Sequence, residues 1–349
     1  MRGSSLVALS LGLLFSAEAH ASCLNPSADS RLRTYCVTET LKDRMVTLGD
    51  AQVLDLLLKR EGYARGLGLS AEVRRKAIQP FIAPIFEYSA NINAGNPDRP
   101  LVLGELTFFG AEESFRKEGV VAGIAAGVSG RHIYGEGRYL DFSAGVSYAH
   151  SPRHDIGIAR AFANICSRNH IQNNWFMDGC ASTTRLNRDL KNETKSNLTL
   201  STTKLFSASR TVHHAATIGL QRYFEHGSYQ QNQLLLGWQT VRSDSFYNSI
   251  NVTLGGAVTD TLATRHSVST TLGTTLFDRA LTATVSYSYA DGGRLFGVDR
   301  NDTTIAATLN YAVHPRVSLN IGYKRTNSSI DYFSEREPII GVQVAPWRF

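Results

Sequence analysis

From Phe81 to Phe349, apolar and polar residues alternate with a period of two. Val317, Leu319, Ile321 and Tyr323 are separated by Ser318, Asn320 and Gly322. Leu281, Ala283, Val285, Tyr287 and Tyr289 are separated by Thr282, Thr284, Ser286 and Ser288, and the pattern recurs over 305–313 and 140–148. Successive side chains of a strand point to opposite faces, so each segment predicts a strand with one apolar and one hydrophilic face. A soluble sandwich turns its apolar face inward and displays Lys and Glu outside. Here the hydrophilic face is Ser, Thr, Asn and Gly, which suits a wet lumen enclosed by a wall that meets lipid.

Turn signals at Ser209-Arg210, Ser243-Asp244, Asp278-Arg279 and His314-Pro315-Arg316 alternate with looser polar stretches at 187–195, 225–229, 290–301 and 329–338. Short turns alternating with longer loops mark a barrel whose two rims face different compartments. Counting from Phe81 gives about fourteen strands, with 94–117 as the first and longest outer loop. The count is even, so both ends fall on the periplasmic side. In lipid an open sheet edge leaves backbone groups unpaired, so the strands must close on themselves. The expected fold is all-β: a transmembrane, antiparallel up-and-down β-barrel over residues 79–349. Aromatic residues gather near strand ends, as an interfacial girdle requires.

The first part of the chain reads differently. Arg2, the apolar run 6–15 and Ala19-His20-Ala21 form a secretory signal peptide over residues 1–21. Residues 22–78 read as a short periplasmic helical segment or plug. Val53, Leu54, Leu57 and Leu58 follow Asp50 with helical spacing, and 70–76 reads as a second short helix capped by Ser70. Gly66 and Gly68 break the two, and Pro80 and Pro84 end helical character.

Export places the four cysteines where disulfides form. Cys23 and Cys36 lie close in sequence, as do Cys166 and Cys180. Local pairing is the simplest of three connectivities, and Cys166 and Cys180 flank a turn near Asn173. Cys23 also raises the alternative of a lipidated mature N-terminus. Neither cysteine pair has metal-site spacing, so no metal and no cofactor is expected. The formal net charge of +6 comes from dispersed basic residues, which argues against a nucleic-acid partner and suits outer-membrane lipid and anionic lipopolysaccharide.

Candidate chemistry is thin. Gly66-Leu67-Gly68-Leu69-Ser70-Ala71 matches a dinucleotide fingerprint on paper but has no strand before it. Five Asn-x-Ser/Thr sequons, at Asn192, Asn197, Asn251, Asn301 and Asn327, follow from an Asn- and Thr-rich face. His150, His154 and Asp155 meet at a predicted outer turn without a second acid to hold a water, and the adjacent His213 and His214 must point to opposite faces. No catalytic residue is assigned and no enzyme is expected.

The chain ends in Trp347-Arg348-Phe349, which resembles the terminal signal read by the barrel assembly machinery, with Pro346 as a departure. Phe86-Glu87-Tyr88-Ser89-Ala90-Asn91-Ile92-Asn93, with Asn91 and Asn93 as its motif residues, resembles the start of the barrel in surface lipoprotein assembly modifiers. The resemblance would cover 79–349. It implies a fourteen-strand translocon that helps a lipoprotein client or another exported protein reach the cell surface. The long tetratricopeptide domain usual in that family has no counterpart here. The alternatives are a porin-like channel for small solutes, with the helices as a plug, and a surface hydrolase built on the rim.

Overall fold

A computed structural model describes residues 23, 25, 27–42, 46–63, 76–243 and 246–349. The signal peptide, the glycine fingerprint, Asp244 and most of the second predicted helix lie outside these residues. Two helices, α1 (Ser30–Lys42) and α2 (Leu48–Arg60), precede the sheet. Thr47 caps α2: its hydroxyl accepts from the Asp50 amide, while the Asp50 carboxylate accepts from the Thr47 amide.

Fourteen antiparallel strands form the wall: β1 (Lys76–Ser89), β2 (Gly119–Gly135), β3 (Arg138–Ser151), β4 (Ile156–Gln172), β5 (Trp175–Asn187), β6 (Asn192–Ser209), β7 (Val212–Glu225), β8 (Tyr229–Arg242), β9 (Tyr247–Gly255), β10 (Ala263–Leu276), β11 (Arg279–Leu295), β12 (Val298–His314), β13 (Val317–Ser328) and β14 (Glu335–Val344). Each pairs with its sequence neighbours, and β14 closes on β1. The barrel begins at Lys76, three residues ahead of the expected 79, because strand pairing with β2 extends to His132. The expected loose stretch at 290–301 is instead a continued hairpin, with a bulge after Ala290 and a turn at Phe296-Gly297, whose φ values are 49° and 82°. At the other rim Asn173 and Asn174 both adopt positive φ, 48° and 62°, the backbone of a tight two-residue hairpin.

The alternation resolves as the physics of lipid requires. Val285 is 55% exposed, Ile321 56% and Leu220 66%, all on the outer surface, while their Thr, Ser and Asn neighbours face the lumen. Among the described residues no helix is long and apolar enough to cross a membrane; the strands do it. Outward aromatics form two belts, with Tyr134, Trp175, Phe206 and Trp238 toward the short-turn rim and Tyr148, Phe224, Tyr289 and Tyr323 toward the other.

Candidate functional site: a plugged lumen

The two helices sit inside the barrel at the periplasmic mouth, where the inward face departs from its polar pattern. Phe176, Leu205, Ala215, Val241 and Tyr247 come from the periplasmic ends of five consecutive strands, β5 to β9, and all point inward. With Cys23, Ala28, Leu32, Cys36, Val37, Leu41 and Leu57 they form one buried apolar cluster. Water is excluded from both surfaces, so helix docking gains about 25 cal/mol for each Å² of apolar area covered. The Asp29 amide donates to the Gln239 side chain at 3.2 Å.

Beside this contact lies a network of charges. Arg31 of α1 is buried, and its guanidinium donates to Asp178 on β5 at 2.9 Å. It lies over the Phe176 ring at 4.5 Å from the centroid. Arg168 on β4 bridges Asp178 at 3.4 Å and Asp141 on β3 at 3.3 Å. Arg131 on β2 pairs with Asp141 at 2.6 Å and donates to the Arg60 carbonyl at the end of α2, also at 2.6 Å. The buried Tyr139 hydroxyl donates to Glu61 at 2.7 Å. The wall and the helices therefore share one continuous ion-pair chain. Such a pair stabilises little against an apolar substitute, but breaking one partner leaves a buried charge.

At the outer mouth the loop 90–118 folds against its neighbours, with the Leu190 amide donating to the Asn93 carbonyl at 3.0 Å. Ile92 and Asn93 are fully buried, and Ile92 packs with Val121, Ala149 and Ile156. The Asn93 amide group donates to the Phe115 carbonyl and accepts from the Lys117 amide, while Asn91 brackets Gly95 through two bonds at 2.9 Å. Both motif asparagines thus shape the loop. Arg99 reaches across to the 329–334 loop and donates to the carbonyls of Asp331, Tyr332 and Ser334. Phe108 stacks on Phe296 at 5.5 Å.

Between the plug and this loop, the inward face of β6 to β12 carries a ladder of hydroxyls and amides, interrupted by Leu235, Gly219 and Gly237. Thr203 bonds Thr217, Thr271 bonds Thr284, and Thr199 bonds Gln221, which bonds Gln233. The wall of β1 to β4 differs. Phe81, Gly127, Gly145 and Phe162 form one cross-strand row, and each phenylalanine leans over the neighbouring glycine. A Cβ on Gly127 would stand 2.7 Å from the Phe81 ring.

The remaining candidates fall as follows. Cys23 pairs with Cys36 and Cys166 with Cys180; the second pair is lumenal and joins directly opposed residues of β4 and β5. His150 lies 3.5 Å from Asp155, and His154 bonds the Glu118 carbonyl. His213 is buried edge-on against Tyr35 of α1, while His214 lies outside beside Phe206 and Trp238. Trp347 and Arg348 pair with β1, and the Phe349 amide donates to the Pro80 carbonyl at 3.2 Å. Sequence reasoning missed the apolar anchor and the charge chain. Leu205 and Val241 could have been found as apolar residues at polar-parity positions of their strands.

No protein-family profile matches the chain, and no curated protein matches its sequence. Among solved structures, it is similar to OccAB2 of Acinetobacter baumannii, with 7% identity over 78% of this chain and 98% of that one and a TM-score of 0.41. OprD of Pseudomonas aeruginosa is 7% identical over 78% and 95% of the two chains, with a TM-score of 0.39. OpdK of the same organism, solved with vanillate, is 8% identical over 78% and 98%, with a TM-score of 0.38. The closed sheet, its outward apolar band and the two aromatic belts make this chain an outer-membrane β-barrel.

Proposed function

We propose that the chain is a gated channel for small uncharged, hydroxyl-bearing solutes, with residues 23–63 as its periplasmic plug. One observation carries this reading: the helices are docked in the lumen itself, on an apolar anchor the wall supplies for them. The solute class follows from the mid-lumen. A ladder of Thr, Gln and Asn groups can exchange hydrogen bonds with hydroxyls, and the half-exposed Phe81 and Phe162 rings offer apolar faces opposite. Charged solutes find no fixed countercharge on β6 to β12 at that height. The test is liposome swelling with the chain lacking 23–63. Neutral disaccharides should enter several-fold faster than anions or cations of equal size. Equal rates, or no entry at all, would reject the assignment.

A second reading, a translocon of the kind the first-strand motif resembles, is favoured by the seam. β1 meets β14 at four paired positions, from Ile85 with Gln343 to Tyr88 with Ile340, and the terminal Trp347 and Arg348 at two more, whereas β1 and β2 pair over the whole length of β1. The Pro80 carbonyl faces the seam, and alternation puts Pro84 in the same direction, so two amide donors are missing from this junction. A weak junction could part sideways for a polypeptide.

A further inference from the structure

On the lipid-facing side of β4 to β8 lies a concavity of about 830 Å³, lined by Gly179, Ala181, Leu198, Leu200, Leu220 and Arg222. At Gly179 an added Cβ would meet nothing within 4 Å. The groove is apolar along β5 and β6 and ends at Arg222, three residues from the outer end of β7. Arg222 donates to Asn232 at 2.7 Å and has no carboxylate partner among the described residues.

Above the groove the outward surface turns polar. Ser196 bonds Thr183 and His226, and Arg185 stands two residues from the outer end of β5, bonded to the side chain of Asn187 and to no carboxylate among the described residues. The outward positions of β5 to β8 hold no Asp or Glu. The nearest carboxylates, Glu193 and Glu225, belong to the lumenal parity, and Glu193 is already held by Lys191 at 2.9 Å and Lys195 at 3.1 Å. Two unneutralised guanidinium groups therefore stand at the level of the outer-leaflet headgroups, over a slot shaped for hydrocarbon. An anion there gains charge-assisted hydrogen bonds to the guanidinium forks, and acyl chains in the slot gain contacts that a smooth wall would not offer.

We propose that this face is a docking site for one lipopolysaccharide molecule, with an acyl chain in the groove at Gly179 and the two lipid A phosphates held separately, one on Arg222 and one on Arg185, which stand two strands and four residues apart. The site is outside the lumen and independent of the channel reading. Native mass spectrometry of the detergent-purified full chain, titrated with bis-phosphorylated hexa-acyl lipid A, tests it. One lipid A should bind. Arg222→Ala and Arg185→Ala should each weaken binding about fivefold. Gly179→Leu, whose Cβ enters open space, should weaken it too, with heat-modifiable migration retained in every variant. Lipid A stripped of phosphate should bind the native chain as poorly as the phosphorylated lipid binds the double Arg variant. Equal affinity across native chain and variants would overturn the proposal, as would equal affinity for phosphatidylethanolamine.

Discussion

Replacing Arg31 with Ala should release the plug. Arg31 is the buried cation through which α1 meets the barrel wall, 2.9 Å from Asp178 and stacked on Phe176. Removing one partner of a buried pair costs about 3–5 kcal/mol. Arg168, 3.4 Å from the same Asp178 oxygen, offsets part of the exposed charge, so the lower end of that range, about 3 kcal/mol, applies. At about 1.4 kcal/mol per decade, the ratio of undocked to docked plug should rise about a hundredfold. Planar-bilayer recordings would show this as closed intervals shortened by about two decades at unchanged open-channel conductance. Asp178→Asn should act in the same direction. The double variant should fall short of the sum of the singles by about 1 kcal/mol or more, since both changes break one contact. Closed intervals that match the native chain in Arg31→Ala, with heat-modifiable migration intact, would refute the role given to this pair.

Replacing Cys166 and Cys180 with Ser should leave the barrel closed, because backbone pairing around the circumference dominates; loss of heat-modifiable migration would contradict this. Cysteines at Phe86 and Val342, opposed across the seam, should crosslink and leave solute flux unchanged, whereas a translocon would lose its transport when so locked. Arg99→Ala should loosen the outer loop, and tryptic cleavage after Arg116 or Lys117 on whole cells should become several-fold faster.

The wall was legible in the sequence because a membrane barrel writes its constraint into every strand: the period-two pattern of Leu281–Tyr289 has one stable solution in lipid. Local cysteine spacing and the two directions of His213 and His214 were legible for the same reason, since adjacent strand positions have fixed relations. The boundary at Lys76 was not, because a Ser-Ala-Glu-Val-Arg run looks helical when the pairing partner, more than fifty residues on, is unknown. Nor was the charge chain. Arg31, Arg131, Asp141, Arg168 and Asp178 are scattered singly along the chain and acquire meaning only when strand register stacks β2 to β5 and α1 lies against them. An uncharged polar lumen holds only for the middle of β6 to β12; their outer ends carry Glu193, Lys195, Glu225, Arg300 and Asp302, and the charges of β2 to β5 lie where α1 docks.

The most direct test is the conductance of the native chain beside that of a chain lacking residues 23–63, each inserted in a planar bilayer. A plugged channel predicts long silent periods for the first and large, steady steps for the second. Identical traces from the two chains would mean that the helices do not obstruct the lumen, and the account of this protein as a gated channel would fail.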